Sequence, residues 1–195
     1  MFNKLRKSPG GIMKKILTTF FMLVFIIACT PQEEELTLSE IEKEKQAIIQ
    51  VMREYNVAAE EKNFSHMIET LAGEVIFFGT DSAEVIKTFA EFKAKMEEQW
   101  QTFDKMKYGD LYDISIQMDD KATLASIIFG SPLEITIGTE TAKLFIRVAR
   151  TLRKEKDKWV IVSGIVGNAD PKAGLLLQDM LLRKAGGAPP VDSGK

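Results

Sequence analysis

Apolar residues recur at helical spacing from Ile41 through Ile48, Met52, Tyr55 and Ala59, with charges on the opposite side. One such stripe predicts a long amphipathic helix. Thr37-x-x-Glu40 and Ser39-x-x-Glu42 both have capping-box form, so the helix begins near Leu38 and ends near Lys62-Asn63. A short second helix is predicted from Ser65 to Leu71, with Ser65 as its N-cap. Glu74 to Gly79 is β-rich and runs into Gly79-Thr80-Asp81-Ser82, a turn composition. Phe89, Phe92, Met96 and Trp100 return to helical spacing and predict a third helix over about 88–101. Four β-type segments follow, at about 110–118, 122–130, 133–150 (with Gly138 as a candidate break) and 158–166. Asp119-Asp120 and Glu155 to Lys158 read as hairpin turns. Asp170-Pro171 then opens a leucine-rich helix that ends at Arg183-Lys184, and Gly186-Gly187 closes the ordered pattern.

Helices first and hairpin-linked strands after is an α+β order. A single domain over 38–167 accounts for it, followed by a helix over 168–185 and a flexible tail over 186–195. The 195 residues, 45% hydrophobic and 28% charged, suffice for one buried core.

Charge changes the picture at the N-terminus. Residues 1–28 carry five basic residues and no acid; without them 21 basic residues face 28 acidic ones, a net charge of −7. So acidic a domain is not expected to bind nucleic acid, which needs clustered Lys and Arg. Lys14-Lys15 precedes an apolar run, Ile16 to Ile27, of signal-peptide length and too short to span a bilayer comfortably. The run ends in Ile26-Ile27-Ala28-Cys29, which resembles the bacterial lipobox. The resemblance implies cleavage after Ala28 and acylation of Cys29, and two or three acyl chains hold a protein stably on a membrane. Residues 1–28 are thus expected to be a lipoprotein signal peptide and 29–37 a solvated tether. Thr30, where an inner-membrane retention signal would have aspartate, favours the outer membrane, on its periplasmic or its surface face. The one Cys and one His exclude a disulfide framework and multi-Cys or multi-His metal sites, so neither a metal nor a cofactor is expected.

Three pieces in order resemble the SnoaL-like branch of the nuclear transport factor 2-like superfamily, over about 40–167. They are the long and short helix pair from Ile41 to Leu71, the strand and turn Val75-Ile-Phe-Phe-Gly-Thr-Asp-Ser-Ala-Glu84, and the closing stretch from Arg147 through Arg153-Lys154 to Trp159-Val-Ile. The resemblance implies a curved antiparallel sheet wrapped cone-like around the long helix, with the leucine-rich helix as an addition. It also implies an apolar pocket at the mouth, and frequent dimerisation through the sheet. Members include isomerases, dehydratases, cyclases and binding modules, so fold alone leaves function open. Some members carry histidines after the closing Trp, where this chain has Ser163, Ile165 and Gly167.

Chemistry-bearing residues are few. Asp81 after the first strand and Tyr55 on the long helix are candidate bases, with His66, the one residue of a type that titrates near neutrality. Arg147, set in an apolar strand, is the candidate anchor for a carboxylate. Alternation puts it with Lys143, Phe145, Ala149 and Thr151, opposite the more apolar face of Leu144, Ile146, Val148, Arg150 and Leu152. Tyr55, Trp100, Tyr108 and Tyr112 are candidate mouth-lining aromatics. The reading is a lipid-anchored envelope protein that binds a small apolar ligand or a protein partner, a second copy included, without catalysis. A small isomerase, dehydratase or cyclase with Asp81, His66 or Tyr55 as its base, and a structural envelope lipoprotein, are the alternatives.

Overall fold

A computed structural model describes residues 36–79 and 85–186. Its first helix, α1 (Leu38–Glu60), starts on the capping box of Thr37 and Glu40. The Thr37 hydroxyl accepts the Glu40 N–H at 3.3 Å, and the Glu40 carboxylate accepts the Thr37 N–H at 2.8 Å. Ile48, Ile49, Met52, Ala58 and Ala59 on its inner stripe are buried. The second helix, α2 (Phe64–Ile68), is shorter than expected and starts earlier. Its cap is Asn63, whose side chain accepts the His66 N–H at 3.1 Å, not Ser65. Leu71 already belongs to β1 (Leu71–Phe78), which pairs with the short β2 (Val85–Ile86). The turn expected over 79–82 lies largely outside the described residues. A second capping box, Thr88 with Glu91, opens α3 (Phe89–Thr102).

The remaining strands are β3 (Lys105–Tyr108), β4 (Tyr112–Met118), β5 (Leu124–Ile137), β6 (Glu140–Glu155) and β7 (Lys158–Asn168), followed by α4 (Pro171–Lys184). The sheet runs β2-β1-β7-β6-β5-β3, with β4 also on β5. Every pairing is antiparallel except that of β1 with β7, which is parallel. The sheet is therefore mixed at one seam, where residues 79–157 intervene between the two partners, room enough for the crossover that a parallel pair requires. Extra residues in β4 and β7 shift the register between Tyr112 and Ser115 and between Ile161 and Ser163. Such bulges bend and twist strands, which is how this seven-stranded sheet curves.

Two strand boundaries differ from expectation. Gly109, Asp110 and Leu111 separate β4 from β3, a strand not expected from the sequence, whereas Ser131 and Pro132 do not end β5. The neighbour of β5 changes at that point from β4 to β3. The Pro132 carbonyl accepts from Gly109 N at 2.8 Å, so the missing N–H of the proline faces the same seam. The buried Ser131 hydroxyl donates to the Gly109 carbonyl at 3.2 Å instead. Gly138, at φ +61°, makes the β5–β6 turn, and Lys156 and Asp157, both at positive φ, make a tight β6–β7 hairpin.

α1 is tied to that hairpin by Glu44. Its carboxylate accepts from Lys154 Nζ at 2.6 Å and from Trp159 Nε1 at 2.7 Å. Partial burial pushes the carboxyl up, but the bonds from Lys154 and Trp159 outweigh it and hold Glu44 below the ordinary carboxylate value of 4.5. A lowered folded-state value means that this stabilisation is complete above the unfolded-state value and is lost as pH falls through the folded one. Glu44→Gln is therefore expected to be about 1–2 kcal/mol less stable than wild type at pH 7 in urea unfolding. The gap should close as pH falls below 4.5; a gap independent of pH would refute the tie. Among the described residues no helix is long and apolar enough to cross a membrane.

Candidate functional site

β6 presents Leu144, Ile146, Val148, Arg150 and Leu152 to the interior, all buried, while Lys143, Arg147 and Arg153 are exposed. The alternation of apolar residues thus carries a cation into the core. Arg150 is 7% exposed. It pairs with Ile127 on β5 and Gly164 on β7, and Gly164 pairs in turn with Phe77 on β1. Directly paired residues share a face, so the four form one inward row across four strands.

Gly164 is what lets the arginine lie down in that row. A Cβ there would meet the Arg150 Cδ, and would sit 2.5 Å from Arg150 Nη1 and from the Ala149 carbonyl. The side chain therefore crosses β7 in the space that any other residue would fill, and reaches β1. The guanidinium carbon lies 4.6 Å from the centre of the Phe77 ring and 5.6 Å from that of Tyr55 on α1. Phe77 is itself backed by Phe92 of α3 at 5.4 Å. These are cation–π distances, and they hold the charge without neutralising it.

The polar surroundings are phenols. Burial pushes the Tyr55 hydroxyl up, with the Arg150 charge opposing. Burial pushes Tyr108 up as well, helped by Tyr55 and by the charge of Glu60, whose carboxylate accepts the Tyr108 backbone N–H at 2.6 Å. Both phenols therefore stay protonated. Burial lowers the Arg150 value, and the two tyrosines oppose the shift; a guanidinium remains a cation regardless. Arg150 Nη1 is buried and has no hydrogen-bond partner among the described residues. The result is a protonated donor set, one member fully charged, in apolar surroundings. It can hold an oxygen acceptor, and neither a phenol nor a guanidinium in this state changes its charge near neutral pH.

Of the residues predicted from sequence, Tyr55 and Tyr108 stand in this group. Arg147 does not: it is exposed and, three residues from Arg150 along β6, lies on the opposite face beside Gly130 and Gly167. Tyr112 is 49% exposed, its ring beside Phe145 on that same outer face. Trp100 packs edge-on to Phe64 and donates its Nε1–H to the Ala59 carbonyl at 3.1 Å, which ties α3 to α1. His66 sits half-buried on α2 and is not among the groups that shift Arg150, Tyr55 or Tyr108. Asp81 and Cys29 lie outside the described residues. Ser163, Ile165 and Gly167 pair with Thr151, Ala149 and Arg147, on the face opposite Arg150. Among the described residues, no three His, Cys, Asp or Glu side chains gather in a form that could hold a metal ion. Sequence reasoning passed over Arg150 and Gly164. The available signal was a lone cation at an inward position of the most apolar face.

A curved sheet folded on a long helix is shared with known proteins. The family model for the SnoaL-like domain matches residues 48–165. The chain belongs to the SnoaL-like family. This SnoaL-like domain is similar in structure to a Mycobacterium tuberculosis protein of unknown function, at TM-score 0.62 and 13% identity, over 80% of this chain and 98% of that one. It is also similar to a dehydratase candidate of the NTF2-like family from Streptomyces avermitilis, at TM-score 0.60 and 10% identity, over 66% and 99%. A scytalone dehydratase candidate from Novosphingobium aromaticivorans gives TM-score 0.59 and 13% identity, over 65% and 85%. At these identities the likeness is one of fold. No curated protein matches the SnoaL-like chain.

Proposed function

We propose that this protein is a lipid-anchored envelope protein whose SnoaL-like domain holds a small, mostly apolar molecule against the inner face of its sheet, as a binder and not as a catalyst. The observation that carries the binding half is the buried, unpartnered Nη1 of Arg150. A buried donor left unsatisfied costs about 1–3 kcal/mol, and more when charged, a cost that an acceptor from outside would remove. Apolar neighbours, with Ile127 and Phe77 both buried, suit an apolar body. Met52, Met67, Met96 and Met106 give the core side chains that repack readily around a guest. The non-catalytic half is supported by the protonated state of Tyr55, Tyr108 and Arg150. Two structural relatives are named as dehydratase candidates, and chemistry of that kind would need a group that gives and takes a proton in this place.

The anchor reading is supported by Lys14-Lys15, the apolar run to Ile27 and the single Cys29. Cys29→Ser is expected to move the protein from the detergent phase to the aqueous phase on phase separation; equal partitioning of wild type and variant would refute the anchor. For the ligand, native mass spectrometry of protein released gently from its own envelope should show a retained small molecule. Only the bare protein mass, with acyl chains, would contradict binding.

A further inference from the structure

Resting on the binding reading above, we infer that the molecule held at Arg150 is an organic acid, docked through its carboxylate on the guanidinium with its apolar body against Phe77 and Tyr55. Charge balance is the first ground. Arg150 is buried, and among the described residues the groups whose charge bears on it are Tyr55 and Tyr108, two phenols. Burial holds the protons of both, so neither supplies a negative charge. A charge taken out of water with no counter-charge is among the costliest arrangements in a protein, and a ligand that brings one unit of negative charge removes the cost where a neutral ligand cannot.

Geometry is the second ground. The rings of Phe77 and Tyr55 lie 4.6 and 5.6 Å from the guanidinium carbon, which places them as an apolar bed beside the charge. Nη1 rests in the gap left by Gly164 without an acceptor. A planar carboxylate matches the planar fork of an arginine and forms two parallel charge-assisted bonds. The Tyr55 and Tyr108 hydroxyls remain protonated and are suited to stand by as further donors to an anion. A cation held on aromatic faces, with no acid partner among the described residues, is thus a receptor for an acid with an aromatic or aliphatic body.

The test uses the full chain in lipid nanodiscs and two probes of equal shape, 2-naphthoate and 2-naphthamide, titrated calorimetrically against empty nanodiscs. Wild type should bind the acid about tenfold or more tightly than the amide, the ratio that one charge-assisted bond provides. Arg150→Met should abolish the preference by weakening the acid alone. Arg150→Lys, which keeps the charge without the fork, should keep part of it. Equal binding of both probes by wild type would overturn the acid while leaving the binding function standing. A preference that survives in Arg150→Met would overturn Arg150 as its cause. Binding of neither probe would overturn the binding function and the acid with it.

Discussion

Arg150→Met is expected to raise the melting temperature of the ligand-free protein by about 4 °C, against the usual direction for a core substitution. Two sets of effects oppose each other. The ring contacts with Phe77 and Tyr55 stabilise the cation, by up to about 2 kcal/mol for a desolvated contact. Against them stands the desolvation of a guanidinium, several kcal/mol even after relaxation, and the unsatisfied Nη1. Methionine has a similar reach, fills irregular space and carries no charge. The balance favours it by about 1–2 kcal/mol, and a domain of this size shifts by about 2–4 °C per kcal/mol. Such a gain identifies Arg150 as a residue kept for binding at the expense of stability, the usual trade at functional sites. A fall of comparable size in thermal unfolding would identify it as a structural cation instead.

Gly164→Ala should act in the opposite sense and more strongly. The new Cβ would collide with Arg150 Cδ and lie 2.5 Å from Nη1 and from the Ala149 carbonyl. The arginine end can yield, but the carbonyl is backbone of the neighbouring strand, so β6 and β7 must part. Overpacking of this kind costs about 1–3 kcal/mol, and the backbone contact places this site at the upper end. The expected loss is about 6–10 °C in melting temperature, together with loss of 2-naphthoate binding. In the Arg150→Ala background the same glycine change should cost measurably less, because the collisions with Cδ and Nη1 are gone while that with the carbonyl remains. Additive losses in this double-mutant cycle would show that the two residues are not coupled. A glycine change without thermal cost would show that Arg150 does not occupy the space across β7.

Much of this arrangement was legible in the chain and some was not, for reasons that differ by element. The α1 stripe, the Thr37–Glu40 box and the two-sided alternation of β6 are local patterns, so spacing alone located them. The continuity of β5 through Pro132 was not legible. A proline reads as a strand end unless its missing N–H is known to face a seam between two neighbours, and that depends on where β3 leaves β5 and β4 joins it. The parallel seam between β1 and β7 depends on partners that residues 79–157 separate. Arg150 is the instructive case. Alternation did place it on the apolar face, yet Arg147 drew attention as the charge among Phe145, Ile146 and Val148. Flanking residues in a strand point both ways, so apolar neighbours in sequence do not make a residue buried. What gives Arg150 its meaning is Gly164 and Phe77, which reach it only through strand register. Asp81, the candidate base after β1, is outside the described residues, and Cys29 belongs to the envelope experiment.

The central claim is that one guanidinium in the core stands open to an acid. Nitrogen-15 NMR of the arginine side chains tests it most directly, with the Arg150 signal assigned by its disappearance in Arg150→Met. Addition of 2-naphthoate should shift the Arg150 guanidinium resonances and slow their exchange with solvent, while those of the exposed Arg147 and Arg153 stay in place. Arg150 signals that remain unmoved at saturating 2-naphthoate, with shifts confined to the exposed arginines, would contradict the claim.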